Sequence, residues 1–108
     1  MNIEENSLSG AIELCGDKLQ YVHIGESHRG YLGSGQVKWE ELFRGLVRAK
    51  YKGPLTFESF SSKVVNARLS NDLCVWRNLW DDSEDLARTA KEFIDAQLDA
   101  AMRCSVER

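Results

Sequence analysis

Two short segments constrain this chain more than anything else in it: His23-Ile24-Gly25-Glu26-Ser27-His28-Arg29 and Thr56-Phe57-Glu58-Ser59-Phe60, each at the end of a short apolar run. Residues 19–24, Leu-Gln-Tyr-Val-His-Ile, carry the β-branched and aromatic side chains that suit a strand, with His23 near its C-terminal end. Pro54 opens a second strand over residues 55–58, where a missing N–H does least harm, and Glu58 falls at its end. Between the two, Trp39, Leu42, Phe43, Leu46 and Val47 recur at spacings of three and four, which predicts a helix that Gly53-Pro54 stops. Strand, helix, strand makes a βαβ unit, whose crossover is right-handed and whose strands are parallel. His23 and Glu58 are therefore expected on one rim of a parallel sheet.

The rest of the chain is mainly helical in pattern. Ser7 is placed to cap a helix carrying Leu8, Ala11, Ile12 and Cys15, and Gly16 can take the left-handed conformation that ends it. Residues 25–37 hold four glycines and few periodic apolar positions, so they read as a long loop, a kind of segment that commonly carries function. Ser70-Asn71-Asp72 reads as a cap before a helix with Leu73, Trp76, Leu79 and Trp80. Ser83 introduces the longest helical stripe, Leu86, Ala90, Phe93, Ile94 and Leu98. Residues 102–108 are expected to fray as a disordered tail.

At 108 residues the chain is one small domain at most, able to bury roughly 65% of its extended surface. Its 17 acidic and 14 basic residues are interspersed, with no basic run to neutralise a row of phosphates, so nucleic-acid binding is not expected. No apolar stretch approaches the ~20 residues of a membrane span, and no N-terminal segment reads as a secretion signal. Cys15, Cys74 and Cys104 are too far apart for a zinc clip and read as reduced thiols in a cytoplasmic protein.

Imidazole nitrogen and carboxylate oxygen at one rim suit a divalent ion in a mixed N/O site, manganese, cobalt or magnesium. Spacing alone leaves the alternative open that His23 is a hydrogen-bonded structural residue. Arg29, in a glycine-rich loop, is by itself equally readable as a solvated side chain. Trp76 and Trp80, one helical turn apart if helical, read as packing residues ahead of a sugar-stacking platform. Phe60 and Tyr31 fall near the expected rim.

The two motifs resemble the last two strand ends of the metal-dependent ketose 3-epimerases, the D-tagatose and D-psicose 3-epimerase family of xylose-isomerase-like barrels. The resemblance starts at Met1-Asn2-Ile3-Glu4-Glu5 and runs to about Leu98. It implies an α/β fold: a partial (β/α)₈ TIM barrel, about the last two strands with their helices, over residues 1–101. A complete barrel needs about 250 residues.

The resemblance further implies that His23 and Glu58 are two of four metal ligands, the other two lying on strands upstream, with Mn2+, or Co2+ or Mg2+, as the ion. It makes Glu58 one of two carboxylates that invert C3 of a free ketose through a cis-enediolate. Arg29 matches an arginine that approaches the sugar oxygens, and Glu26 an acidic residue behind the ligands that either supports them or serves the structure. With half the ligands and one of the two bases, the chain alone is expected to be inactive. Self-association or an upstream barrel portion would complete it, an unpaired strand edge inviting such a partner. The alternative is a non-catalytic remnant or interaction module.

Overall fold

The computed structural model describes residues 4–106, so Met1, Asn2 and Ile3 of the resembling segment lie outside the described residues. The element order is α1 (Leu8–Cys15), a 3₁₀ turn (Gly16–Lys18), β1 (Val22–Ile24), α2 (Trp39–Arg48), β2 (Leu55–Phe57), α3 (Ala67–Asp72) and α4 (Ser83–Val106). β1 and β2 pair as a two-stranded sheet. Val22 N donates to Pro54 O (3.3 Å) and Glu58 N to Ile24 O (2.8 Å), so the partners advance together along both strands and the pair is parallel. The ladder begins only at Val22, which leaves residues 19–21 of the expected strand ahead of it.

The chain divides into two compact units. The first holds residues 4–22, 38–55 and 94–106. Ser7 caps α1 as expected, its Oγ accepting from Gly10 N at 2.8 Å, and Gly16 ends the helix at φ +55°. α2 buries Trp39, Leu42, Phe43 and Leu46 as its periodicity predicts, with the Trp39 and Phe43 ring centroids 6.1 Å apart. α1 contributes Ala11 and Ile12 to this core. Ser9 N and Oγ donate to Glu41 Oε1 at 3.3 and 3.1 Å, tying α1 to α2, and these bonds hold the Glu41 carboxyl below its usual pKa.

α2 ends earlier than the Gly53-Pro54 signal implies. Lys50 adopts φ +57°, Tyr51 N donates to Leu46 O (3.0 Å) and Lys50 N to Val47 O (3.0 Å). This is a Schellman motif, which satisfies the last carbonyls of the helix, with a lysine in the position glycine normally takes.

The second unit holds residues 23–37 and 56–93. Its buried apolar side chains are Ile24, Leu32, Val75, Trp80, Leu86 and Ala90. Here the helix expected after Ser70-Asn71-Asp72 is displaced: those residues form the last turn of α3, which Asn66 caps by accepting from Leu69 N at 2.8 Å. Cys74 takes φ +58°, and Cys74 N and Val75 N donate to Asn71 O (3.1 Å) and Ser70 O (2.9 Å), a second Schellman ending. Ser, Asn and Asp serve both ends of short helices and turns, so their cluster did not distinguish a start from a stop. The irregular segment that follows is braced by buried Ser61, whose Oγ donates to Asn78 Oδ1 (2.6 Å) and accepts from Leu79 N (3.0 Å).

α4 begins at Ser83, with Asp82 Oδ1 accepting from Glu84 N and Asp85 N at 3.0 and 3.1 Å. It continues through Val106, so residues 102–106 are helical where a frayed tail is expected. Ala101 is buried, and Arg103 pairs with Asp99 one turn back at 2.7 Å. Both features extend helix into a stretch with little apolar patterning of its own. Residues 107–108 of that expected tail lie outside the described residues. No helix among the described residues is long and apolar enough to cross a membrane. Cys15, Cys74 and Cys104 form no disulfide among the described residues.

Candidate active site

His23 sits at the centre of β1, between buried Val22 and Ile24, so strand alternation turns its side chain to the exposed side. Glu58 directly follows β2, where its N–H caps the ladder on Ile24 O. The two side chains meet: His23 Nδ1 lies 2.9 Å from Glu58 Oε2, with the imidazole 59% and the carboxylate 37% exposed. An imidazole nitrogen with its lone pair free and a carboxylate, both open to solvent, are donor types that a divalent ion in a mixed N/O site takes. Among the described residues no group of three or more His, Cys, Asp and Glu side chains is placed to hold a metal.

Arg29 comes to the same place. Its Nε is 4.0 Å from Glu58 Oε1, and its backbone stands at φ +64°, the left-handed region that a non-glycine residue seldom adopts. Its carbonyl accepts from Phe60 N (3.2 Å) and from Ser59 Oγ, which joins the loop after β1 to the segment after β2. Gly25 permits this approach, since a Cβ there would stand 3.1 Å from Glu58 O.

Glu26 does not reach the rim. It is fully buried beneath the loop, its carboxylate accepting three backbone N–H groups. Of the two readings open for it, metal support and structure, the contacts described are those of a loop brace. His28 accepts from Gly30 N on Nδ1 (2.9 Å), and its Nε2 lies 3.1 Å from Ser34 Oγ. Because Nδ1 accepts, the neutral ring carries its proton on Nε2.

His28, Arg29 and Glu58 open onto a cavity of about 380 Å³, lined also by Phe60, Trp76 and Arg77 among others. Phe60 is there as expected. Tyr31 is elsewhere, its hydroxyl donating to Asp85 Oδ2 at 2.6 Å. Trp80 is buried, as its packing reading requires, but Trp76 is 69% exposed on the cavity wall. Arg77 escapes sequence reasoning, and Trp76 reads first as packing, because a helical register for residues 73–80 assigns Trp76 to the same face as Trp80. The Schellman ending at Cys74 destroys that register.

No family model matches the chain. It is 61% identical over 94 residues to an L-ribulose 3-epimerase of Methylomonas sp. (strain DH-1), a match covering 87% of this chain and 33% of the relative. It is 52% identical over 100 residues to a ketose 3-epimerase of Arthrobacter globiformis, covering 93% of this chain and 35% of that protein. A solved structure of an L-ribulose 3-epimerase superposes with a TM-score of 0.90 at 46% identity, over 97% of this chain and 35% of that one.

The chain belongs to the ketose 3-epimerase family, as a C-terminal portion.

A second solved relative, D-allulose 3-epimerase from Methylomonas sp. in complex with D-allulose, matches this chain with a TM-score of 0.83 at 59% identity, over 90% of this chain and 34% of that one. The chain thus spans about one third of the length of the relatives it matches. Its α/β fold, with a two-stranded parallel sheet, corresponds to part of the barrel of those epimerases.

Proposed function

We propose that this chain supplies the last part of a divalent-metal-dependent active site that inverts C3 of a free ketose, and that it acts in the cytoplasm. The observation that carries the reading is the 2.9 Å approach of His23 Nδ1 to Glu58 Oε2 at adjoining strand ends, with Arg29 beside them. A non-catalytic module has no use for an exposed imidazole set against a carboxylate that, with a guanidinium beside it, lines a cavity. His23 and Glu58 would hold the ion, manganese, cobalt or magnesium, and the upstream portion would bring the remaining ligands. The ion, when bound, supplies polarisation of the C2 carbonyl, which makes the neighbouring C3–H acidic.

Glu58 takes the C3 proton on one face of the sugar, leaving a cis-enediolate, and a second carboxylate outside this chain returns a proton on the other face. Arg29 places a fixed positive charge where the enediolate oxygens gain negative charge. Phe60 and Trp76 give the cavity apolar walls for the carbon skeleton. The partner is either an upstream barrel portion or another copy of this chain.

The test is complementation. The chain alone should leave D-fructose, D-psicose and D-tagatose unchanged, and adding the upstream two thirds of a ketose 3-epimerase as a separate polypeptide should produce C3 epimerisation that Glu58→Gln removes. Turnover by the chain alone, or a complemented Glu58→Gln enzyme that keeps its activity, overturns the reading.

A further inference from the structure

Glu26 is the only acidic side chain among the fully buried ones of the described residues, and both its oxygens are occupied by backbone donors. Ser27 N (2.8 Å) and Val37 N (3.2 Å) donate to Oε2, and Gly33 N (2.9 Å) donates to Oε1. The donors come from the start, the middle and the end of the loop over residues 26–37, so one carboxylate draws the whole loop around itself. The loop is tightened further: Gln36 N donates to Ser27 Oγ (3.0 Å), and a Cβ on Gly35 would stand 2.6 Å from Glu26 Oε2. Glu26 also holds Arg29 through its own backbone, its carbonyl accepting both Arg29 N (3.0 Å) and Arg29 Nη1 (2.8 Å).

Arg29 needs such support. At φ +64° it occupies a region that L residues leave unless their surroundings over-determine it. Its side chain is 41% exposed, and its ion pair with Glu58 is a long one at 4.0 Å. The geometry points to Glu26 as the positioning residue for Arg29: its buried carboxylate builds the loop whose shape sets the arginine beside Glu58. What Arg29 then does rests on the ketose 3-epimerase reading above; its placement by Glu26 does not.

The carboxylate is required chemically, not only by size. Both oxygens accept, so the amide of Glu26→Gln would present its NH2 to at least one N–H that needs an acceptor, and Glu26→Asp is a methylene too short to reach all three donors.

The experiment uses the full chain labelled with 15N-arginine and, separately, with uniform 15N. In Glu26→Gln the amides of Ser27, Gly33 and Val37 should exchange with solvent at least ~10-fold faster, and the Arg29 Nε–H signal should move towards that of a free guanidinium. Glu41→Gln, which removes a carboxylate acceptor from Ser9 N in the other unit, should leave the Arg29 signal in place. Should Glu26→Gln fail to fold, Gly35→Ala keeps the charge and adds one methyl against it, and must then shift the same Arg29 signal. Faster amide exchange with an unmoved Arg29 Nε–H makes Glu26 a loop brace and overturns the proposal, as does an unmoved Arg29 signal in Gly35→Ala.

In the complemented enzyme, Glu26→Gln should lower kcat in the wild-type background and have little further effect on Arg29→Ala; full additivity of the two also overturns it. A complemented wild type without activity refutes the ketose 3-epimerase reading instead, while the arginine signal still decides the role of Glu26.

Discussion

His23 Nδ1 and Glu58 Oε2 stand 2.9 Å apart although 35 positions separate the residues in the chain. Parallel pairing accounts for the meeting. The bonds from Val22 N to Pro54 O and from Glu58 N to Ile24 O set His23 opposite Thr56, so Glu58, two residues further on, projects from the same face beside the histidine. An antiparallel pairing of the same strands would send the two ends in opposite directions.

If His23 and Glu58 are half of a ligand set, as proposed, the isolated chain should bind manganese weakly. Two ligands leave most of the ion's charge to water, and the transfer of a hydrated divalent ion to so few protein donors gains little. Titration calorimetry on a demonstrated monomer should show no stoichiometric micromolar binding, and His23→Ala should remove whatever heat there is. Tight binding would mean that ligands other than this pair complete the site.

Glu58→Gln should separate chemistry from folding. The side chain is 37% exposed and its backbone N–H keeps the ladder bond to Ile24 O, so the melting temperature should change little. In the complemented enzyme the loss of a proton-transfer base should reduce turnover by about 10²–10⁴, with a further loss from the weakened ligand. Steady-state kinetics beside a thermal melt checks both halves.

Lys50→Gly should stabilise the chain. Lys50 is the left-handed residue of the Schellman ending of α2 and is exposed. An L side chain costs roughly 1–2 kcal/mol in that conformation, partly offset by the extra freedom glycine has when unfolded. A net gain of about 0.5–1 kcal/mol in chemical denaturation is expected, and a loss would show that the lysine side chain makes a stabilising contact.

The Tyr31–Asp85 bond should mark the pH dependence of the second unit. The Tyr31 hydroxyl, followed by Arg88, holds the Asp85 carboxyl below its usual pKa, and Asp85 in turn raises that of Tyr31. A depressed carboxyl contributes stability that is present above its unfolded pKa and lost as pH falls through the folded value. The raised phenol contributes stability that is present below its own unfolded pKa and lost as pH rises through the folded one. Tyr31→Phe should therefore lower the melting temperature near pH 7, and the gap to wild type should narrow as the pH falls below the ordinary aspartate range. A gap that persists in acid would assign the effect to packing.

Much of the architecture was legible in the residues themselves. Apolar period and cap chemistry are local properties, so α1 with Ser7 and Gly16, the buried face of α2 and the start of α4 follow from a few consecutive positions. The resemblance carried by the segments around His23 and Glu58 identified the family for the same reason: those residue types sit in short contiguous runs.

Elsewhere local signals competed. Ser70-Asn71-Asp72 suits the end of one helix as well as the beginning of another, and only the closing bonds from Cys74 N and Val75 N decided for an ending. That decision moved Trp76 from an expected packing face to the wall of the cavity. The frayed tail gave way to helix where burial of Ala101 and the Asp99–Arg103 pair outweighed a weak apolar pattern.

What the sequence by itself determined is the set of elements and the pair of chemically able residues at strand ends, because propensity and periodicity act within a few residues of each other. What only the tertiary structure decided is that His23, Arg29 and Glu58 share one place, that Glu26 lies beneath them and that Trp76 faces the cavity. Those facts depend on parallel register, on a buried carboxylate gathering N–H groups from across a loop and on two left-handed residues ending helices. Each is an interaction between positions far apart in the chain, or a backbone conformation that the residue's own preference opposes, so neither is written in any local stretch.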